Sequence, residues 1–125
     1  MENEKQLIML VDDNPVILQA GKGILQEKYN VATASSAAKM FEFLKTNKPS
    51  LILLDIDMPE MTGYQAIKFL KAKDETKDIP VIFLTGKTDV DSKLEGYSLG
   101  AVDYLVKPFE KNMLLSRVNL YCKKN

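Results

Sequence analysis

Histidine is absent from this chain of 125 residues, and cysteine occurs only once, as Cys122. Without histidine, the chain excludes Ser-His-Asp catalysis, a histidine-bound metal and a phosphohistidine of its own. A single cysteine excludes an intrachain disulfide and a metal cluster built on several thiolates. We interpret Cys122 as a small apolar residue on the last helix.

Neither sign of charge is in excess, because Lys plus Arg and Asp plus Glu each number 17. This balance argues against a nucleic-acid-binding surface over the whole domain, although it leaves a local patch open. Long apolar runs are also missing, and the polar N-terminus MENEKQ lacks the apolar region of a signal peptide. We therefore expect a cytoplasmic domain without membrane contact.

Short apolar runs alternate with helical patterns, which predicts five strand–helix units in one domain over residues 1–125. Three runs are apolar almost throughout, as strands covered on both faces of a parallel sheet must be. We therefore predict an α/β fold, a three-layer sandwich with a five-stranded parallel sheet. The predicted strands are LIMLV (Leu7–Val11), a segment within YNVATA, LILLD (Leu51–Asp55), VIFLT (Val81–Thr85) and a segment within DYLVK.

Capping residues mark where the predicted helices begin and end. Asn14 suits an N-cap and Pro15 the first helical position, and the pair Ser35 and Ser36 caps the second helix. Gly100 ends the fourth helix. The first helix runs to about residue 27, the second follows Ser36, and the others cover residues 64–72, 89–99 and 110–123.

Polar residues stand at the carboxyl ends of four of the five strands: Asp12, Asp13, Asp55, Thr85 and Lys107. In a parallel α/β sheet these ends meet at one edge, which is where ligands bind. Three carboxylates held together repel one another, so their meeting requires a cation. Oxygen ligands suit Mg²⁺, or Mn²⁺.

This set of residues suits phosphoryl transfer. Asp55 is a candidate carboxylate nucleophile that becomes an aspartyl phosphate, and Lys107 and Thr85 are candidates to stabilise charge on the phosphoryl group. Lys107 precedes Pro108, and X-Pro bonds are the ones that adopt the cis form. Taken singly, each residue has a simpler interpretation as a helix cap, a strand-end threonine or a solvated lysine. Their convergence at one edge favours a site.

Four segments in this order and spacing resemble the receiver domains of response regulators, the CheY-like family: VDDN, LLDIDMPEMTGY, PVIFLTGK and GAVDYLVKPF. The resemblance extends from Leu7 to about Tyr121. It implies a flavodoxin-like sheet with strand order 2-1-3-4-5 and five helices. It implies that Asp55 is the phosphoacceptor, and that the metal ligands are Asp12, Asp13, Asp55 and the backbone carbonyl of Asp57.

The resemblance also implies roles around the acceptor. Thr85 and Lys107 would contact the phosphoryl oxygens, and Tyr104 would be a switch residue whose ring moves from solvent toward the interior when Thr85 moves. Asp57 and Lys87 occupy positions that tune the lifetime of the phosphate in the family. Their pairing across the site and two exposed, independent charges are equally open from the sequence.

The family's phosphodonor is a histidine kinase or phosphotransfer protein, and its members catalyse only their own phosphorylation and dephosphorylation. The surface of the fourth helix, fifth strand and fifth helix usually binds a partner or a second copy. Nothing effector-like follows the last predicted helix. The chain is then either a stand-alone receiver acting on a downstream protein or the regulatory part of a longer protein with an output domain.

Three other classes share features with the sequence. Asp55-Ile56-Asp57 matches the nucleophile motif of haloacid-dehalogenase phosphatases, and Thr85 and Lys107 follow in the order of that family. Against this class, that family places its acidic metal pair after the nucleophile, not before it, and the chain is short for that fold with a substrate cap. Gly86-Lys87-Thr88 resembles the end of a P-loop, but Val81 occupies the position of its first glycine. A flavodoxin-like FMN module is disfavoured because acidic residues after the first strand would repel the phosphate.

Overall fold

The protein is described by a computed structural model over residues 5–86 and 95–122. Five parallel strands form one sheet in the order β2-β1-β3-β4-β5, which confirms the order implied by the resemblance. Each strand follows the predicted apolar or β-rich segment. The strands are β1 (Leu7–Val11), β2 (Asn30–Ala34), β3 (Leu51–Asp55), β4 (Val81–Thr85) and β5 (Asp103–Val106).

Helical segments connect the strands, and none of the described helices is long and apolar enough to cross a membrane. The first helix ends slightly earlier than predicted, with Gln26 as its C-cap. Of the predicted fourth helix, residues 89–94 lie outside the described part of the chain. The helices are α1 (Pro15–Leu25), α2 (Ala37–Leu44), α3 (Gly63–Ala72), α4 (residues 95–98) and α5 (Lys111–Tyr121).

Side-chain caps fix where four of these helices begin. The predicted caps Asn14 and Ser36 accept hydrogen bonds from backbone N–H groups of α1 and α2. Thr62 and Gln65 form a reciprocal capping box that starts α3 one residue earlier than predicted. Glu110 is the cap of α5 rather than its first residue, because its carboxylate accepts two backbone N–H groups of the first turn.

The two faces of the sheet carry separate apolar clusters, which produces the predicted three layers. One face packs Met9, Ile52 and Phe83 against α2 and α3. The other face packs Leu10 and Leu53 against α1 and α5. All five residues of β3 are buried, as its run of four apolar residues before Asp55 predicts for a central strand.

Gly21 brings α1 close to the sheet. A Cβ atom at Gly21 would lie 2.6 Å from Leu10 Cδ2 and 3.1 Å from Phe109 Cε2, so a larger residue would push α1 outward. A Cβ atom at Gly23 would meet no atom of the described residues within 4 Å. Close packing therefore accounts for Gly21, and nothing in the described part of the chain explains Gly23.

Candidate functional site

Three carboxylates meet at the carboxyl edge of the sheet. Asp12 directly follows β1, and Asp55 is the last residue of the neighbouring strand β3. One carboxylate oxygen each from Asp12, Asp13 and Asp55 lie within 4.8 Å of one another. Asp12 and Asp55 are buried, whereas Asp13 is exposed. The predicted convergence of these residues is confirmed.

Lys107 reaches into this cluster from the far side of β4. Its Nζ donates hydrogen bonds to Asp12 Oδ2 and Asp55 Oδ1, each at 3.0 Å. Its backbone N–H donates to the carbonyl oxygen of Thr85 at 2.7 Å, and its peptide bond to Pro108 is cis. The lysine therefore joins the ends of β1, β3 and β5.

Backbone donors orient the two buried carboxylates. Asp12 Oδ1 accepts the N–H of Asn14 at 2.9 Å, so the residue that caps α1 also orients Asp12. Asp55 Oδ1 accepts the N–H of Asp57 at 3.3 Å in addition to the Lys107 bond. Asp55 Oδ2 is buried and has no hydrogen-bond partner within residues 5–86 and 95–122.

Burial and crowding shift the ionisation of the site. Burial raises the pKa of Asp55 to about 6, with a further contribution from the charge of Asp12, and the Lys107 hydrogen bond offsets part of the rise. Burial acts to lower the pKa of Lys107, but its bonds to Asp55 and Asp12 outweigh this and raise that pKa above its ordinary value. Lys107 therefore stays protonated beside the acceptor candidate.

The donor set fits a hard divalent cation. Among residues 5–86 and 95–122, three carboxylates face the ammonium group of Lys107, so negative charge is in excess within this described cluster. A buried carboxylate oxygen without a donor is costly unless a cation or another polar group completes its shell. Asp12, Asp13 and Asp55 offer the oxygen ligands that Mg²⁺ and Mn²⁺ prefer.

Thr85 and Asp57 flank the cluster. Thr85 is the buried last residue of β4, and in the register Leu84 of that strand lies opposite Asp55. Asp57 is exposed, and its backbone N–H donates to Asp55 Oδ1. Lys87 lies outside the described residues, so its pairing with Asp57 remains a prediction.

Tyr104 is oriented differently from the expectation. Its side chain is only 5% exposed, and its ring packs edge-on against Phe83 with centroids 5.7 Å apart. Its hydroxyl lies 3.2 Å from the hydroxyl of Tyr64. The expectation that the ring faces solvent before phosphorylation is wrong for this structure, because Phe83 and Tyr64 hold the ring inside.

Gly63 is a site residue that the sequence analysis missed. A Cβ atom there would collide with the backbone carbonyl oxygen of Asp55 and lie 2.9 Å from Ile56 Cα. The N–H of Gly63 also donates to the carbonyl oxygen of Ile56 at 2.8 Å. The start of α3 is therefore in direct contact with the backbone that carries Asp55. The Thr-Gly pair in LLDIDMPEMTGY was the sequence signal that pointed to this residue.

The response regulator receiver domain model matches residues 8–119 of the chain. The chain belongs to this receiver family. It is thus a phosphoacceptor module of two-component signalling. The receiver domain is 41% identical over 114 residues to a probable cyclic di-GMP phosphodiesterase of Vibrio cholerae, covering 91% of this chain and 26% of that protein. It is 35% identical over 126 residues to the transcriptional regulatory protein YvrH of Bacillus subtilis, covering 99% and 51%.

Solved structures agree with this membership. The chemotaxis protein CheY4 of Vibrio cholerae is 30% identical, with a TM-score of 0.89 and coverage of 94% of this chain and 98% of that one. The receiver domain of the sensor histidine kinase PA1611 of Pseudomonas aeruginosa is 26% identical, with a TM-score of 0.87 and coverage of 96% and 99%. That structure holds magnesium in its active-site cleft. The receiver domain here spans only a quarter to a half of the two curated relatives.

Proposed function

We propose that Asp55 receives the phosphoryl group from a phosphohistidine of a histidine kinase or phosphotransfer protein. The observation that carries this assignment is the environment of its carboxylate. Oδ1 accepts hydrogen bonds from the Lys107 ammonium group and the Asp57 N–H, whereas Oδ2 is buried and has no donor among the residues that the structure describes. A carboxylate oriented in this way, next to a fixed cation, is suited to attack phosphorus.

In the proposed step, an oxygen of Asp55 forms a bond to phosphorus while the phosphorus–nitrogen bond of the donor breaks. The nitrogen keeps the electron pair of that bond. Lys107 and the Thr85 hydroxyl stabilise the charge on the phosphoryl oxygens. Attack by water later releases phosphate, so the domain catalyses only its own phosphorylation and dephosphorylation and acts on no other substrate.

Asp12, Asp13 and Asp55, with the backbone carbonyl of Asp57, would hold Mg²⁺ or Mn²⁺. Bound there, the cation would offset the carboxylate repulsion and supply positive charge to the phosphoryl oxygens. The excess of carboxylates over ammonium groups among the described residues of the cluster supports this assignment. The magnesium reported in the cleft of the PA1611 receiver domain supports it as well.

The proposed output surface lies along α4, β5 and α5. A groove of about 550 Å³ there is lined by Tyr97, Tyr104, Met113 and Arg117, among others. Tyr97, Val106 and Met113 are large apolar residues exposed on this side. The surface would bind an output domain or a downstream protein, or a second copy after phosphorylation. The domain would act in the cytoplasm without contacting membrane or nucleic acid directly.

Thr85 and Tyr104 would couple the phosphoryl group to this surface. Thr85 lies at the end of β4, and its register partner Val106 borders the groove. Movement of Thr85 toward the phosphoryl group would favour the inward position of the Tyr104 ring. Asp57 and Lys87 would tune the lifetime of the phosphate by limiting the access of water.

Phosphorylation by acetyl phosphate tests the assignment. We expect one added phosphate per chain by intact-mass measurement in Mg²⁺, and little or none when a chelator is present. Asp55→Asn should abolish the addition, whereas Asp74→Asn should keep it, because the Asp74 side chain is 93% exposed and pairs with the surface residue Lys77. Full phosphorylation of Asp55→Asn, or equal phosphorylation with chelator, would contradict the proposal.

A further inference from the structure

A contact between two tyrosine hydroxyls links α3 to β5. Tyr64 lies in the first turn of α3, and its hydroxyl lies 3.2 Å from that of Tyr104, either one being able to donate. Phe83 on β4 packs edge-on against both rings, with centroid distances of 5.2 Å to Tyr64 and 5.7 Å to Tyr104. The two tyrosine rings therefore both pack against the same buried aromatic ring.

Gly96 provides the space for the inward ring. A Cβ atom at Gly96 would collide with the Tyr104 hydroxyl and lie 2.6 Å and 2.7 Å from Cε1 and Cζ of the same ring. Tyr104 thus occupies a slot formed by α3, β4 and α4, and the hydroxyl of Tyr64 borders it.

We propose that Tyr64 is a positioning residue that holds the Tyr104 ring inward before any phosphoryl group is present. This inference rests on the proposed switch role of Tyr104. If the ring turned outward, the half-buried Tyr64 hydroxyl would lose this partner. The net value of a hydrogen bond between neutral groups corresponds to about a two- to tenfold change in an equilibrium constant.

The consequence concerns the resting state of the domain. A residue that favours the inward ring shifts the unphosphorylated population toward the arrangement that phosphorylation favours. Phosphorylation then has to supply less free energy to shift the conformational equilibrium. Tyr104 lines the output surface, so part of this surface already adopts the arrangement of the phosphorylated state before phosphorylation.

NMR of the unphosphorylated protein tests the contact directly. In the wild type we expect nuclear Overhauser contacts from the Tyr104 ring to the Phe83 ring and the Gly96 α protons. Tyr64→Phe keeps the ring packing on Phe83 and removes only the hydroxyl, so these contacts should weaken and the Tyr104 ring signals should shift. Tyr121→Phe is the matched control, because its hydroxyl donates to Val102 and Asp103 instead. Unchanged Tyr104 contacts in Tyr64→Phe, or none in the wild type, would overturn the inference.

A second measurement uses beryllofluoride with Mg²⁺ as a phosphoryl mimic. If the mimic favours the inward ring, Tyr64→Phe should weaken its apparent affinity by up to about tenfold. The same change made on a Tyr104→Phe background should have a clearly smaller effect, because the hydroxyl pair is already broken. Equal losses of affinity for the mimic on the wild-type and Tyr104→Phe backgrounds would overturn the proposed coupling between Tyr64 and Tyr104. Failure of the wild type to bind the mimic would instead contradict the phosphoacceptor proposal, and the NMR comparison would still decide the role of Tyr64.

Discussion

Lys107 Nζ lies 3.0 Å from Asp55 Oδ1, an ion pair that joins the end of β5 to the end of β3 across the intervening strand β4. The same nitrogen lies 3.0 Å from Asp12 Oδ2. Both carboxylates are buried, and the lysine side chain is 19% exposed. One ammonium group therefore offsets part of the repulsion between two buried carboxylates. Its loss should lower the free energy of unfolding and also impair phosphorylation.

We expect Lys107→Met to lower the free energy of unfolding by about 2 kcal/mol in Mg²⁺-free buffer. Removal of the Lys107 ammonium group leaves the carboxylates of Asp12 and Asp55 facing each other. Because the lysine is partly exposed, the loss of stability should be smaller than for a fully buried ion pair. Added Mg²⁺ should reduce the loss, because the cation replaces the missing charge. Urea unfolding with and without Mg²⁺ measures this, with the exposed Lys68→Met as control. A loss that Mg²⁺ leaves unchanged would contradict the account.

Mg²⁺ should stabilise the wild-type domain, since the cation binds the folded cluster and not the unfolded chain. At one hundred times its Kd the gain is about 2.7 kcal/mol. Asp13→Asn removes one exposed carboxylate from the cluster, so its Tm should rise in Mg²⁺-free buffer and respond much less to Mg²⁺. Thermal unfolding with Asp74→Asn as control measures both effects. An undiminished Mg²⁺ response in Asp13→Asn would exclude Asp13 as a ligand.

Two glycine substitutions should have opposite effects on stability. Gly63→Ala places a Cβ atom against the backbone of Asp55 and Ile56, and we expect a loss of about 1–3 kcal/mol. Gly23→Ala lies in α1, where the new Cβ atom has no described residue within 4 Å, and we expect a gain of about 0.5–1 kcal/mol. Urea denaturation of both variants provides the comparison. A tolerated Gly63→Ala would mean that α3 can move away from the acceptor strand at little cost.

The lifetime of the phosphate tests the prediction made for Asp57 and Lys87. If the two side chains pair across the site, they hinder the attacking water, and either Asp57→Ala or Lys87→Ala should speed phosphate loss. The measurement is the half-life of the phosphorylated form after the donor is removed. Half-lives equal to the wild type in both variants would favour independent exposed charges.

The sheet and the carboxylate cluster were predictable because their signals are local. An apolar run such as LILLD indicates a buried strand by itself, and the residue that follows each strand lies at the same edge in any parallel sheet. The caps Asn14 and Ser36 were likewise predictable from a few neighbouring residues. The strand order came from the family resemblance.

The orientation of Tyr104 could not be predicted in the same way. It depends on Tyr64, Phe83 and Gly96, which come from three different elements and meet only in the folded chain. The role of Gly63 was hidden for a related reason. A glycine before a helix is compatible with an ordinary turn, and only the close approach of α3 to the backbone of Asp55 shows why a side chain is excluded.

The most direct test of the central claim is to locate the phosphoryl group chemically. The protein is phosphorylated with acetyl phosphate and Mg²⁺, treated with borohydride, which reduces an aspartyl phosphate to homoserine, and then sequenced by peptide mass spectrometry. The account predicts homoserine at position 55, dependent on Mg²⁺ and absent from Asp55→Asn. Homoserine at another position, or a phosphorylated protein with unmodified Asp55, would contradict it.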